Sequence, residues 1–544
     1  MTRRLSLEAT LVGLVLTAPA FVWAALDRSI WPWDPAWYGE VSIDLYSALR
    51  LHDGWLTSML KAFGQKAPGV AWLGQLFVPI GGLVGSELRG LLVSIVLTQA
   101  ATIALVYAAA RRASPHGRAP ALAAALLLAG APLFVGLSHH YFAEPLQGVA
   151  VAWVLFVMVS ANRWRPALAA SQLAGALALG LLAKVSTPAY VAVPALVAGA
   201  LSIAAARHEP TERIAWYRDR AVLLSIAVAA APVVGAAAWY ERNGRTALDH
   251  ARFAAGSELY GGGGSFGAKL SRWIDHLRDA LADRPFDILL GMLLLAAAAL
   301  AVVRHRDAFA RSPRWTYAAA CATSLVILLA LFARSANEDI RFLLAALPHA
   351  ALLLALALSW RGARWLALAA AALLAAQFAV VNARVLGIGD SSHYTYLEQP
   401  QRDASPRRQL EQIVDLTCND RSNGRINVVG GDYPWLNGNT LSLLADARYT
   451  IGGRECEYTT LGYIETDPDK AWERVRSLDA PYYVSLDYGD SRNRLPPELA
   501  ANLSAYAPVN AVDEAVFRRA LDSGEYRPIP STRRGGFVVL ERTA

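Results

Sequence analysis

The chain has 544 residues, of which 55% are hydrophobic and only 17% charged, and its mean hydropathy is +0.30. An array of soluble domains would carry about 25% charged residues, so the composition excludes one and indicates a membrane protein. The net charge of +7 is accounted for by basic loops between apolar runs and implies no nucleic-acid partner.

Apolar runs long enough to cross a ~30 Å hydrocarbon core predict eleven membrane helices, near 7–26, 88–110, 119–137, 146–161, 167–184, 188–206, 221–239, 286–303, 315–333, 341–359 and 364–382. "MTRR", an apolar stretch and "FVWA" fit a cleaved signal peptide loosely, but the many apolar runs that follow favour a retained first helix. Arg3 and Arg4 place the N-terminus in the cytoplasm. Alternation then puts "RRASPHGR", "NRWR", "ARHEPTERIAWYRDR", "RHRDAFARSPR" and "RGAR" on that same side, as the positive-inside pattern requires. The expectation is a multi-pass protein among the lipids of a bacterial inner (cytoplasmic) membrane. Residues 27–87, "SHHYFAE", "KVSTP", 240–285, "RSANEDIR" and everything after 383 would then face outward.

The first outer loop opens with "WPWDPAWYGE", in which Asp34 stands among Trp31, Trp33 and Trp37. Indoles favour the membrane interface, so these are expected to seat the loop there and display Asp34 at headgroup depth. The plainer reading is an aromatic belt with a turn-forming Asp-Pro. Residues 55–84 are apolar but broken by Lys61, Lys66, Pro68 and Pro79. A crossing there would push "RRASPHGR" outside, so short interfacial or re-entrant helices are predicted. The loop at 240–285 reads similarly, with "YGGGGSFG" as slack or hinge before the amphipathic "AKLSRWIDHLRDAL".

After the last apolar run the pattern changes. "RINVVGG", "PYYVSLD" and "GGFVVLER" read as strands and "DPDKAWERVRSLD" as a helix, which predicts a soluble α/β domain over 384–544, following a membrane domain over 1–383. "VVGGDYPW" lacks the spacing of a dinucleotide fingerprint and is read as a turn. Cys321 falls in a membrane helix. Cys418 and Cys456 form an even pair in an oxidising compartment, which suggests a disulfide, with two unpaired thiols as the alternative.

Short outward connections seldom need cations, yet Lys66, Lys184, Arg334 and Arg341 all lie in them. Singly, each reads as a long side chain snorkelling to the interface. Together with Asp34, Glu40, Asp44, Glu144, Glu338 and Asp339 they supply both signs of charge on one side. Such a set suits chemistry on a lipid-linked phosphate: cations neutralise a departing phosphate, and a carboxylate takes the proton of an attacking hydroxyl. His140 and Glu144, four residues apart, could share a helix face and hold a divalent metal, although hydrogen-bonding histidines at a helix end are the commoner case and no third ligand is evident. No cofactor is otherwise implied.

At this point the sequence resembles the GT-C membrane glycosyltransferases, in the branch of protein O-mannosyltransferases and lipid A aminoarabinose transferases. "WDPAWYGE", "HDGWL" and "QKAPGVAWLG" are similar, in order, to that branch's first outer loop. "SHHYFAEPL" resembles its acidic residue before Pro-Leu, "LGLLAKVSTPAY" its Gly-Leu…Lys hairpin, and "IRFLLAALP" its Arg-Tyr run to Pro. The chain departs from the pattern at Pro35, where Glu is commoner, and at Ala67, which replaces a proline. The resemblance implies a GT-C-like fold of about eleven helices. It implies Asp34 as general base, Glu144 as a second acid orienting donor or acceptor, Lys66 and Arg341 holding the lipid phosphate, Lys184 assisting, and Tyr38 shaping the pocket. His140 is grouped with these substrate-binding residues. The expected activity is inverting transfer of a sugar from a polyprenyl-phosphate donor to a lipid, glycan or protein acceptor. A transporter or flippase of lipid-linked sugars is the rival, although the charges gather on one side and not at the midplane; an outward sensor or assembly factor would leave the acidic loop idle.

Overall fold

The computed structural model describes the chain except residues 1–2, 115–117, 209–218, 257–262, 285, 290, 293–312, 361–362, 391–393, 463–464, 490–493, 496, 501–506, 533–534 and 544. Among the described residues nine helices are long and apolar enough to cross a membrane, and ten if one bent pair is a single span. These match ten of the eleven predicted helices; the eleventh, 286–303, lies largely outside the described residues. The bent pair, Ala119–Gly130 and Pro132–His139, turns by 59°. Its cause is Pro132, whose ring forces Ala131 into an extended conformation (φ −69°, ψ 124°) and ends the first helix. The protein is a polytopic helical membrane protein with a small C-terminal sheet.

The chain divides into two compact units. The first comprises Met1–Ala24, Met59–Val70 and Leu92–Gln399, and the second Ala25–Ser58, Ala71–Leu91 and Pro400–Ala544. These boundaries differ from a single division at 383, because most of residues 27–87 belongs with the C-terminal region. The stretch predicted to be interfacial or re-entrant forms three short helices, Trp55–Lys61, Gly69–Gly74 and Val78–Val84, of seven, six and seven residues. The helix predicted to end near 239 instead runs on from Arg220 to Gly256, and the amphipathic segment beyond is the helix Phe266–Leu281, N-capped by Ser265.

In the second unit five strands form one sheet in the order β2-β1-β3-β5-β4. They are β1 (Ile426–Val429), β2 (Glu457–Thr460), β3 (Tyr482–Leu486), β4 (Tyr526–Pro528) and β5 (Phe537–Arg542). Strands β2, β1 and β3 are parallel, and β5 runs antiparallel to both β3 and β4. Alternate residues feed two cores. Val429, Val484, Phe537 and Val539 pack with Leu410, Val414 and Leu441 on one face, while Val428, Tyr483, Val538 and Leu540 pack with Val475, Val516 and Phe517 on the other. Cys418 and Cys456 form a disulfide with Cα atoms 5.6 Å apart, tying the end of the Ser405–Thr417 helix to the residue before β2.

Candidate functional site

The first unit gathers two cations on one buried carboxylate. Glu144 opens the helix Glu144–Ser160, with Pro145 in its first turn, where a fixed φ suits the helix start and a negative charge opposes the dipole. Its side chain is 3% exposed, and its Oε1 lies 2.5 Å from Lys184 Nζ and 3.4 Å from Arg341 Nε. Lys184 caps the C-terminus of Pro166–Ala183. The hairpin that follows is stitched in place: Gln147 Nε2 donates to Ser186 and Thr187, and Tyr190 Oη to the Phe342 carbonyl. Phe342 lies beneath the Lys184 ammonium at 4.1 Å, and the Arg341 guanidinium lies over the Phe142 ring at 4.6 Å.

Arg341 sits in "RSANEDIR", a loop that caps itself every second residue. Ser335 Oγ accepts from Asn337 N, Asn337 Oδ1 from Asp339 N, and Asp339 Oδ1 from Arg341 N, which starts the 3-10 helix Ile340–Ala346. The other oxygen of Asp339 is 2.9 Å from Arg341 Nε. Glu338 turns away to a two-point contact with Arg272 of the amphipathic helix, at 2.7 and 3.1 Å. Arg334, at the end of its helix, is exposed and stays with the snorkelling reading.

Lys66 lies in a turn tied to the same surroundings. Three residues on, Gly69 presses against the hairpin, where an added Cβ would stand 2.6 Å from the Leu182 carbonyl, so only glycine fits. Tyr141 Oη donates to Val70 O, and Trp239 Nε1 to Ala62 O. His140 is extended (φ −120°, ψ 136°) and precedes the helix that Glu144 begins, so the two do not share a helix face. The His140 ring stands edge-on to Tyr396 at 5.4 Å, and its buried Nε2 has no hydrogen-bond partner among the described residues. His139 stacks on Trp23 at 4.2 Å.

Asp34 and Tyr38 belong to the second unit. Asp34 is in the first turn of Trp33–Leu51, a placement that its charge alone would favour, and Tyr38 is buried at 7% exposure. Two of the three tryptophans make polar contacts within this unit. Trp31 is 6% exposed and its carbonyl accepts from Thr440, while Trp33 Nε1 donates to Asp432 Oδ1 at 2.8 Å. One turn further, Glu40 and Asp44 meet Asp446 with carboxylate oxygens within 4.8 Å of one another. Among the described residues this is the group whose donors could hold a metal ion. Burial, with the Asp44 and Glu457 charges adding, raises Glu40 well above the usual carboxylate range; burial with Asp44 and Glu40 does the same to Asp446.

Within the first-unit cluster, the sequence reading counts Asp339 only among the outward acids and gives Tyr396 no role. The capping position of Asp339 could have been found from the alternating Ser-x-Asn-x-Asp of its loop. Tyr396, whose hydroxyl donates to Asp339 Oδ1 at 2.9 Å, follows the last span in a stretch with no periodicity to mark it.

Comparison with known proteins bears on the whole arrangement. The family described as dolichyl-phosphate-mannose-protein mannosyltransferase matches residues 65–239, a stretch that contains Lys66, His140, Glu144 and Lys184 but neither Asp34 nor Arg341. No curated protein matches the sequence significantly. Among solved structures, ArnT from Cupriavidus metallidurans bound to undecaprenyl phosphate is similar with a TM-score of 0.57 at 15% identity, over 100% of this chain and 99% of that one. The apo state of the same ArnT gives 0.56 at 14% identity, over 98% and 97%. The resemblance to GT-C membrane glycosyltransferases is thereby borne out in a family match and in the fold.

Proposed function

We propose that this protein transfers a sugar from a polyprenyl-phosphate donor to an envelope acceptor at the outer face of the bacterial cytoplasmic membrane, by a single inverting displacement. The observation that carries the reading is the convergence of Lys184 and Arg341 on buried Glu144, with the Lys66 turn packed against the same hairpin. Cations held in one place by a carboxylate are preorganised for a phosphate and cost little reorganisation when it arrives. The GT-C fold, shared with an ArnT that binds undecaprenyl phosphate, supports a lipid-linked donor.

In this reading the acceptor hydroxyl attacks the anomeric carbon, the bond from that carbon to the phosphate oxygen breaks, and the polyprenyl phosphate leaves with its charge neutralised by Arg341, Lys184 and Lys66. Asp34 takes the acceptor's proton. Glu144 keeps the two cations together and ionised, and His140 offers its unpaired nitrogen to donor or acceptor. The acceptor is a lipid, a glycan or a protein, and the N-terminus is cytoplasmic.

The test uses purified protein in lipid nanodiscs, with polyprenyl-phosphate sugars as donors and nucleotide sugars as controls. Transfer from the lipid donors is expected, and Asp34→Asn should lower the rate by about 10²–10⁴-fold while donor binding persists. Transfer from nucleotide sugars alone would overturn the reading, and movement of an intact lipid-linked sugar between leaflets would replace it with a flippase.

A further inference from the structure

The connector that leaves the last membrane helix does more than join two parts of the chain. Tyr394 Oη bonds the Asp283 carboxylate, which Arg384 also contacts at 2.7 Å, and the Glu398 carbonyl accepts from Trp23 Nε1 at 3.0 Å. Between these two anchors stands Tyr396 with φ +69°, a left-handed conformation that is rare for an aromatic residue. Its carbonyl lies against Gly136, where an added Cβ would be 2.7 Å away, so the glycine makes room for the strained backbone. A conformation of this kind persists only where the surroundings over-determine it, and such residues gather at functional sites.

What the strain achieves is the placement of one hydroxyl. Tyr396 Oη donates to Asp339 Oδ1, the same atom that accepts from Arg341 N, so that Asp339 Oδ2 is left toward Arg341 Nε. Burial, with the Asp339 charge adding, raises the Tyr396 hydroxyl far above its ordinary value, which keeps it a donor. The Tyr396 ring also stands edge-on to His140 and, at 5.9 Å, to Phe142, the ring under the Arg341 guanidinium.

We propose that Tyr396 is a positioning residue for the phosphate-binding arginine: its hydroxyl fixes the rotamer of Asp339, and Asp339 in turn aims Arg341. The proposal rests on the function proposed above and extends it to a residue more than fifty positions from the arginine it serves. Without the tyrosine, Asp339 Oδ1 keeps the Arg341 N–H but loses its second donor, so the carboxylate is held less firmly and Arg341 with it.

The experiment compares the parent with Tyr396→Phe in nanodiscs, a change that keeps the ring and its packing and removes only the hydroxyl. Binding of undecaprenyl phosphate is measured directly, and kcat and KM are measured with a polyprenyl-phosphate sugar. The expected result is a Kd and a KM each raised about tenfold, the size of one lost hydrogen bond to a charged group, with kcat within about threefold of the parent and the melting temperature unchanged. Asp339→Asn should move the same two quantities, and the double variant should be no worse than Asp339→Asn alone. Parent-like Kd and KM in Tyr396→Phe, or strictly additive losses in the double variant, would overturn the positioning role. A parent that binds no undecaprenyl phosphate overturns this and the functional reading together, whereas a parent that binds it equally well with and without the hydroxyl overturns this alone.

Discussion

Two clusters of charge in this protein are solved in opposite ways. In the first unit Glu144 and Asp339 face Lys184 and Arg341, so each carboxylate meets a cation within 3.4 Å. In the second unit Glu40, Asp44 and Asp446 meet one another, with Glu457 adding to the repulsion. The paired cluster can stay ionised and hold a fixed geometry, which suits binding a charged ligand. In the like-charged cluster burial and repulsion both penalise the ionised form, which pushes Glu40 and Asp446 above the usual carboxylate range. Burial alone therefore does not mark a functional charge; the sign of its neighbours decides what the charge can do.

The sharpest way to break this contrast is to unpair the first cluster. Glu144→Ala leaves Lys184 and Arg341 without their shared partner, and removing one member of a buried pair typically costs about 3–5 kcal/mol. The expected outcome is a large fall in melting temperature with loss of transfer, whereas Glu144→Gln should keep more stability than activity. Equal melting of Glu144→Ala and parent would show that the pairing contributes nothing to the first unit.

The second unit depends on a covalent tie where the first depends on ion pairs. Cys418 and Cys456 close a loop with a sequence separation of 38, for which loop-closure entropy gives roughly 4 kcal/mol. Cys418→Ser with Cys456→Ser should lower the unfolding temperature of the second unit, read by proteolysis of residues 400–544, while donor binding by the first unit is spared. Loss of donor binding in that variant would blur the division into units.

The smallest effect concerns pH. Carboxyls whose folded pKa is raised bind more protons folded than unfolded, so their contribution is full below the ordinary carboxylate pKa near 4 and is lost as pH rises through the raised value. The second unit should thus lose some stability as pH rises from mildly acidic to alkaline. Asp446→Asn, which keeps the acceptor for Thr450, should flatten that slope and melt slightly higher at alkaline pH. A slope of opposite sign in the parent would mean that a bound cation, and not protons, neutralises the cluster.

How much of this is legible in the sequence follows the range of each signal. Membrane helices are written in local hydropathy, and the central strands β1, β3 and β5 in short β-branched runs, so both can be read. Strands β2 and β4 escape because they are the edges of the sheet: "EYTT" and "YRP" carry little of the apolar alternation that a two-sided core imposes. Lys184, Glu144 and Arg341 stand out because charge is rare beside membrane helices, and the structure brings these three together. Tyr396 cannot be read, since its role depends on a left-handed backbone and on Gly136, some 260 positions away. The tryptophans suggest a membrane belt by their general preference for interfaces, but Trp31 and Trp33 answer to Thr440 and Asp432, partners that no local pattern could announce.

The bond between the Trp31 carbonyl and Thr440 spans 409 positions of sequence. On the ribosome, Trp33–Leu51 is made long before Gly438–Arg448, the helix whose Thr440 and Asn439 bond to the Trp31 and Trp33 carbonyls. The second unit therefore cannot complete its fold until almost the whole chain has been synthesised, and its early segment must wait, uncovered, through the insertion of every membrane helix in between. A fragment cut at the end of the last membrane helix would lack those partners from birth, so residues 400–544 are not a portable module but the closing step of the molecule's own assembly.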